Sequence, residues 1–107
     1  MKTLTKKRIK KNLKEIEREI KWYNPPKKIV KAMQDLGKIG FEFSGHGVGM
    51  SGEDFGLTYD LSDERYIYAN LAIPAKHCSV SVDDTFVYTK SYSNTIKRAK
   101  KLIKKYT

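Results

Sequence analysis

Cysteine is nearly absent from this chain: of its 107 residues, Cys78 alone carries a thiol. An internal disulfide is therefore impossible, and a reducing compartment, the cytoplasm, is the expected home. Histidine is scarce too. One cysteine with His46 and His77, roughly thirty residues apart, matches no zinc spacing, so no metal and no other cofactor is expected. Long apolar runs are missing. Nothing approaches the ~18 residues of a membrane helix, and no apolar segment follows the basic N-terminus as a secretory signal would require. A membrane partner is not expected. The chain also lacks repeats and a long linker, which leaves one domain over 1–107.

Acidic side chains are missing from particular places. The net charge is +10, but residues 85–107 hold seven basic and no acidic side chains. Residues 1–41 hold thirteen basic and four acidic, and residues 42–84 hold two basic and eight acidic. Two cationic ends flank an anionic middle. The molecule is electrostatically polar if the fold keeps these segments apart.

The cationic first part reads as two helices. Ile9, Leu13, Ile16 and Ile20 recur at helical spacing between Thr5, a candidate N-cap, and Trp22. Lys6, Lys7, Lys10, Lys11 and Lys14 flank that stripe. They are poorly placed for helix stability, because the helix N-terminus carries partial positive charge. Lys6/Lys10, Lys7/Lys11 and Lys10/Lys14 are also like-charge pairs, each costing about 0.2–0.5 kcal/mol. Either an anionic partner offsets this repulsion or the lysines decorate a solvated face. Asn24-Pro25-Pro26 is expected to end the first helix, with Asn24 capping a second. Ile29, Val30, Met33 and Leu36 supply that helix's apolar face, and Gly37 its expected stop.

The period then changes to two. Ile39, Phe41 and Phe43, and after a glycine-dense stretch Phe55, Leu57, Tyr59 and Leu61, alternate with small or polar residues. This pattern predicts an antiparallel hairpin with one buried face and a mobile tip over 45–54. A turn at Ser62-Asp63-Glu64 leads to a strand from Tyr66 to Ile73, ended by Pro74. Another strand runs over 77–88, broken into a hairpin at Asp83-Asp84. The last helix, from about Ser93 to Tyr106, has a stripe of Tyr92, Ile96, Ala99, Ile103 and Tyr106. Lys97, Arg98, Lys100, Lys101, Lys104 and Lys105 cover the rest, where cations suit the C-terminal dipole. The expected class is α+β: two N-terminal helices, a four-stranded (possibly five-stranded) antiparallel sheet and a C-terminal basic helix.

Gly47-x-Gly49-x-x-Gly52 invites a nucleotide label. A dinucleotide fingerprint must open a helix, whereas here Glu53-Asp54 and a strand follow, and two carboxylates repel a phosphate. No small-molecule substrate is expected. Glu53, Asp54, Asp60, Asp63 and Glu64 form an acidic cluster that could bind a divalent cation, meet a basic protein, mimic phosphates, or balance the lysine helices. Tyr66 and Tyr68 fall on the strand face opposite Ile67 and Leu71. There they either stack bases or anchor a protein interface, or pack into a core under a helix.

No catalytic constellation emerges, so a binding protein is expected. Its basic residues Lys6, Lys7, Lys10, Lys11, Lys14, Lys97, Arg98, Lys101, Lys104 and Lys105 are the candidates for RNA, DNA or a ribonucleoprotein. His46, Met50, Glu53, Asp54, Tyr66 and Tyr68 are the candidates for a host protein target. In size, in its basic helices over 6–14 and 97–105, and in its acidic, glycine-rich hairpin over 45–64, the chain resembles small phage-encoded anti-defence inhibitors, including anti-CRISPR proteins. That resemblance implies an inhibitor of a nucleic-acid-handling complex in the host cytoplasm. The order of two helices, antiparallel sheet and basic tail is also similar to RelE/ParE-like RNA-cleaving toxins, for which His77, Tyr88 and Lys90 would be the active-site candidates. Direct nucleic-acid binding through the basic helices is the alternative to the inhibitor reading, ahead of the toxin.

Overall fold

In the computed structural model, residues 5–50, 52–62 and 64–107 are described. Three helices and five strands follow the order α-α-β-β-β-β-β-α. α1 spans Lys6–Tyr23 and α2 spans Lys27–Lys38. The strands are β1 (Glu42–Gly49), β2 (Gly52–Ser62), β3 (Arg65–Ile73), β4 (Ser79–Val82) and β5 (Thr85–Tyr88), and α3 spans Tyr92–Tyr106. The sheet is an antiparallel meander in the order β1-β2-β3-β4-β5. The fold is α+β; within the expected strand over 77–88, His77 ends a short 3-10 helix (Ala75–His77) and residues 79–88 form two strands across a turn at Asp83-Asp84.

Local chemistry explains the boundaries. The Thr5 hydroxyl accepts from Arg8 N at 3.1 Å and starts α1. Asn24 ends it: its backbone is left-handed (φ 48°) and its N–H donates to Ile20 O at 2.8 Å. Asn24 thus caps the C-terminus of α1, not the N-terminus of α2. The N-cap of α2 is Pro26, which offers no side-chain hydrogen bond. Asparagine suits both roles, and Pro25 beside it forces the chain out of α1 immediately.

Gly37 is not the stop expected of it. It lies buried inside α2, where an added Cβ would sit 2.7 Å from Ile16 Cδ1 and 2.8 Å from Leu13 Cδ2. The glycine lets α1 and α2 approach closely. The left-handed turn falls instead on Gly40 (φ 112°), after which Phe41 N donates back to Leu36 O at 3.0 Å.

The core lies between the helical layer and one face of the sheet. Ile16, Ile29, Met33, Leu36 and Phe41 meet Phe55, Leu57, Ile67, Leu71, Val80 and Val82, all but wholly enclosed. From α3 the inward residues are Thr95, Ala99 and Leu102. Tyr92, Ile96, Ile103 and Tyr106, expected to form the stripe, are only partly buried around them. The stripe shifts because Thr95 is satisfied inside: its hydroxyl meets Thr89 Oγ1 at 2.6 Å and donates to Ser91 O at 2.8 Å. Among the described residues, no helix is long and apolar enough to cross a membrane.

Candidate interaction surfaces

The two layers separate the charges. The three helices carry eighteen Lys and Arg against four Asp and Glu, while residues 39–91 carry three against eight. The fold does not interleave the segments. One side of the molecule is strongly cationic, and the sheet side is anionic.

Lys6, Lys7, Lys10, Lys11 and Lys14 are exposed along α1, as are Lys97, Lys101, Lys104 and Lys105 along α3. Among the described residues none of these nine makes an ion pair; the cationic groups that do are Arg8 with Asp60, Lys31 with Asp35, and Arg65 with Asp83, besides His46 with Glu53. Arg98 differs from its neighbours. It is half-buried and its Nε is enclosed without a partner, so it is less available to an outside phosphate than the sequence pattern indicated.

The glycine-dense stretch is strand almost to its end. β1 and β2 pair from Glu42↔Thr58 to Gly49↔Gly52, with one irregularity between Phe43 and Gly45. The described residues of 45–54 are not the loose tip expected of them: β1 runs to Gly49 and β2 starts at Gly52. Met50 is fully exposed there. His46 is not a loop residue. Paired with Phe55, it points to the helical side and stacks on Tyr23 with centroids 4.1 Å apart and planes 25° apart. Its Nε2 lies 2.6 Å from Glu53 Oε2. The imidazole is largely enclosed, and Glu53 is engaged by it.

The acidic cluster is dispersed for the same reason: alternation sends neighbours to opposite faces. Glu53 turns toward His46, Asp54 lies on the outer face, Asp60 meets Arg8 at 3.4 Å, and Glu64 is exposed in a turn. Asp63 lies outside the described residues. Among the described residues, no group of three His, Cys, Asp or Glu is placed to hold a metal ion.

No helix covers the outer sheet face. Tyr66, Phe86 and Tyr88 are 52, 57 and 58 % exposed. Phe86 and Tyr88 pack edge to face at 4.9 Å. Tyr68 is half-buried because its ring lies over Gly56, with Oη where a Cβ would be. Burial pushes the Tyr68 phenol above its ordinary pKa, and the charges of Asp54 and then Tyr66 push the same way. Tyr66 and Tyr68 thus belong to an open face and not to a core under a helix.

The register sets the layout of that face. Gly56, Asn70, Ser79 and Tyr88 form one row across it, and Thr58, Tyr68, Ser81 and Phe86 the next. A groove follows, lined by Asp54, Tyr68, Asn70, Ser79, Phe86 and Tyr88. Phe86, Tyr88 and Asn70 had no place among the expected protein-interface residues. The usable signal was Phe86-Val87-Tyr88, which repeats the pattern of Tyr66-Ile67-Tyr68. His77 also lines this groove, near Tyr88, but Lys90 does not. The groove therefore joins two of the three toxin-type candidates and leaves out the cation.

Comparison of the chain with protein-family models, with curated proteins and with solved structures returned no match. What this molecule does has to be read from the two faces themselves.

Proposed function

We propose that this chain is a non-catalytic binding protein that engages a nucleoprotein, as an inhibitor of the phage anti-defence kind acting in the cytoplasm. The observation that carries the reading is the opposition of the two faces. Among the described residues, exposed lysines without an ion pair line α1 and α3, and an uncovered face with exposed aromatics and carboxylates stands on the other side. The helices suit the phosphates of the target's nucleic acid, where contacts give affinity without sequence readout. The sheet suits the target's protein surface, where exposed aromatics serve as anchors.

The test is affinity capture from a bacterial lysate, with and without nuclease, followed by mass spectrometry. The reading expects a stoichiometric protein partner whose recovery falls when its nucleic acid is digested. Failure to recover any partner, together with no binding to RNA or DNA at low salt, overturns it.

Direct nucleic-acid binding is the second reading, favoured by the unpaired lysines. It expects RNA or DNA affinity that falls steeply with salt, and a shallower salt slope for Lys6→Glu/Lys7→Glu/Lys10→Glu/Lys11→Glu. An unchanged slope in that variant removes α1 from the binding surface.

A further inference from the structure

We propose that the groove between α2 and α3 receives an acidic amphipathic helix from a protein partner. This goes beyond the two-faced reading, which gives the helical side to phosphates, and does not depend on it. The groove follows from helical periodicity. Lys28, Lys31, Ala32 and Asp35 fall at i, i+3, i+4 and i+7 on one face of α2, and Tyr92, Ile96, Lys97 and Lys100 share a face of α3. The two helices pack together, and these faces line an open groove of about 550 Å³ at their seam. Ala32 is buried at the bottom, with Ile96 and the ring of Tyr92 partly buried beside it. Lys28 and Lys31 are exposed on one side, Lys97 and Lys100 on the other. An apolar floor thus lies between two cationic rims.

The rims lack counter-charge. Among the described residues, Lys28, Lys97 and Lys100 make no ion pair, and Asp35, which meets Lys31 at 3.3 Å, is the one carboxylate lining the groove. Neither helix has an acidic residue in its first turn, and both first turns border the groove, at Lys28 and at Tyr92. Their partial positive charge adds to that of the lysines. Carboxylates from a partner would offset both.

A helix fits this groove better than a nucleic-acid strand. Two packed helices leave a channel between them that accepts the side-chain ridge of a third. α2 has 12 residues and is about 18 Å long, so the channel takes about three helical turns. Its floor is mainly aliphatic, which suits leucine or isoleucine spaced three and four apart. Tyr92 is the one ring there, and its hydroxyl donates to Ala72 O at 2.8 Å, so successive bases have nothing on which to stack. Asp35 on one rim also repels an unbroken run of phosphates. A helix with an apolar stripe flanked by carboxylates matches floor and rims together.

The experiment is fluorescence anisotropy of the full-length protein, at physiological salt, with a labelled peptide of about 14 residues carrying leucine on one helical face and glutamate on both flanks. NMR amide shifts locate the contact. Three further probes run in parallel: a scrambled peptide of the same composition, the peptide with glutamine for glutamate, and oligodeoxythymidylate. The expected result is saturable binding of the first peptide with shifts over α2 and α3, and binding weaker by about tenfold for each altered peptide. Lys28→Glu/Lys100→Glu, two exposed changes, should weaken binding by a similar factor. Lys21→Glu/Lys76→Glu, which alters the net charge equally but away from the groove, should leave it within about twofold. Equal binding of the scrambled or the glutamine peptide overturns the proposal, because charge alone or apolar contact alone would then suffice. Equal losses in the two double variants overturn it as well. An oligonucleotide that saturates the groove at lower concentration than the peptide makes nucleic acid the occupant and overturns it. Concentration-dependent shifts there without any probe do the same in favour of a second copy.

Discussion

Gly56 has no side chain because Tyr68 occupies its place. The Tyr68 phenol oxygen lies where a Gly56 Cβ would be. Gly56→Ala should therefore lift the ring off β2 and narrow the groove. The expected outcome is weaker partner binding with a loss of stability of about 1–3 kcal/mol, measured by titration and by chemical denaturation. Gly37→Ala meets only the ends of the Ile16 and Leu13 side chains and gains about 1 kcal/mol of helix propensity, so its net effect on stability should be small, and it leaves the sheet face untouched. Equal binding losses in the two variants would show that the effect does not come through the sheet face. Tyr68 also sets a pH response. Burial raises its pKa, so the neutral phenol is favoured in the fold. Its contribution is complete below about pH 10, the unfolded value, and is lost as pH rises through the higher folded value. Tyr92 and Cys78 shift in the same direction, chiefly by burial. An absorbance titration should show Tyr68 and Tyr92 ionising late, together with alkaline unfolding, and Tyr68→Phe should weaken that alkaline sensitivity. Neither Gly56 nor Gly37 could be interpreted from sequence. Both glycines answer to a side chain distant in the chain, and a local pattern sees only the turn that glycine usually makes.

At the scale of elements, α1 is built against its own stability. Its first turn holds no acidic residue, and Lys6, Lys7, Lys10 and Lys11 repel one another beside a positive helix end. Replacing Lys6 and Lys7 with Glu should raise the Tm at low salt, through about 0.3–1 kcal/mol of added stability per site. That gain should shrink near 1 M salt, where the screening length falls to about 3 Å. The same variant should bind a nucleoprotein less well. A gain in stability with unchanged binding would make the lysines mere surface decoration. The helices were legible because their apolar residues recur at helical spacing and Thr5 caps the first of them. The strands were legible by alternation, including the break at Asp83-Asp84. The β1–β2 hairpin was legible, but its tip was drawn too wide because glycine is the usual mark of a loop. Here Gly45 and Gly47 are paired strand residues, and an added Cβ at Gly47 would lie 2.7 Å from Asp54 Oδ1.

At the scale of the whole molecule, the segment charges were visible in the sequence, but their separation into layers was not. That depended on all three helices packing on one side, which no local pattern specifies. The open face was half visible, through Tyr66 and Tyr68. Its other wall lay on β5, where Phe86 and Tyr88 become neighbours of β3 only through β4. Salt should act unequally on the two faces' contributions. Nucleic-acid affinity should fall steeply with added salt, because each phosphate contact releases counterions. Binding carried by stacked aromatics in the groove should fall far less. Isothermal titration at several salt concentrations, with an oligonucleotide and with the captured protein partner freed of nucleic acid, would measure the difference.

The layering has a consequence for whatever the protein coats. A polyanion held by the helical side would be left wearing the sheet side outward. Each bound copy would replace a strip of phosphate with tyrosine, phenylalanine and carboxylate, changing the texture of that surface while keeping its sign. Proteins that recognise such a strand by its phosphates would find a surface still negative but with the wrong spacing and the wrong shape. A molecule of this size could therefore disguise a nucleic acid without cutting it.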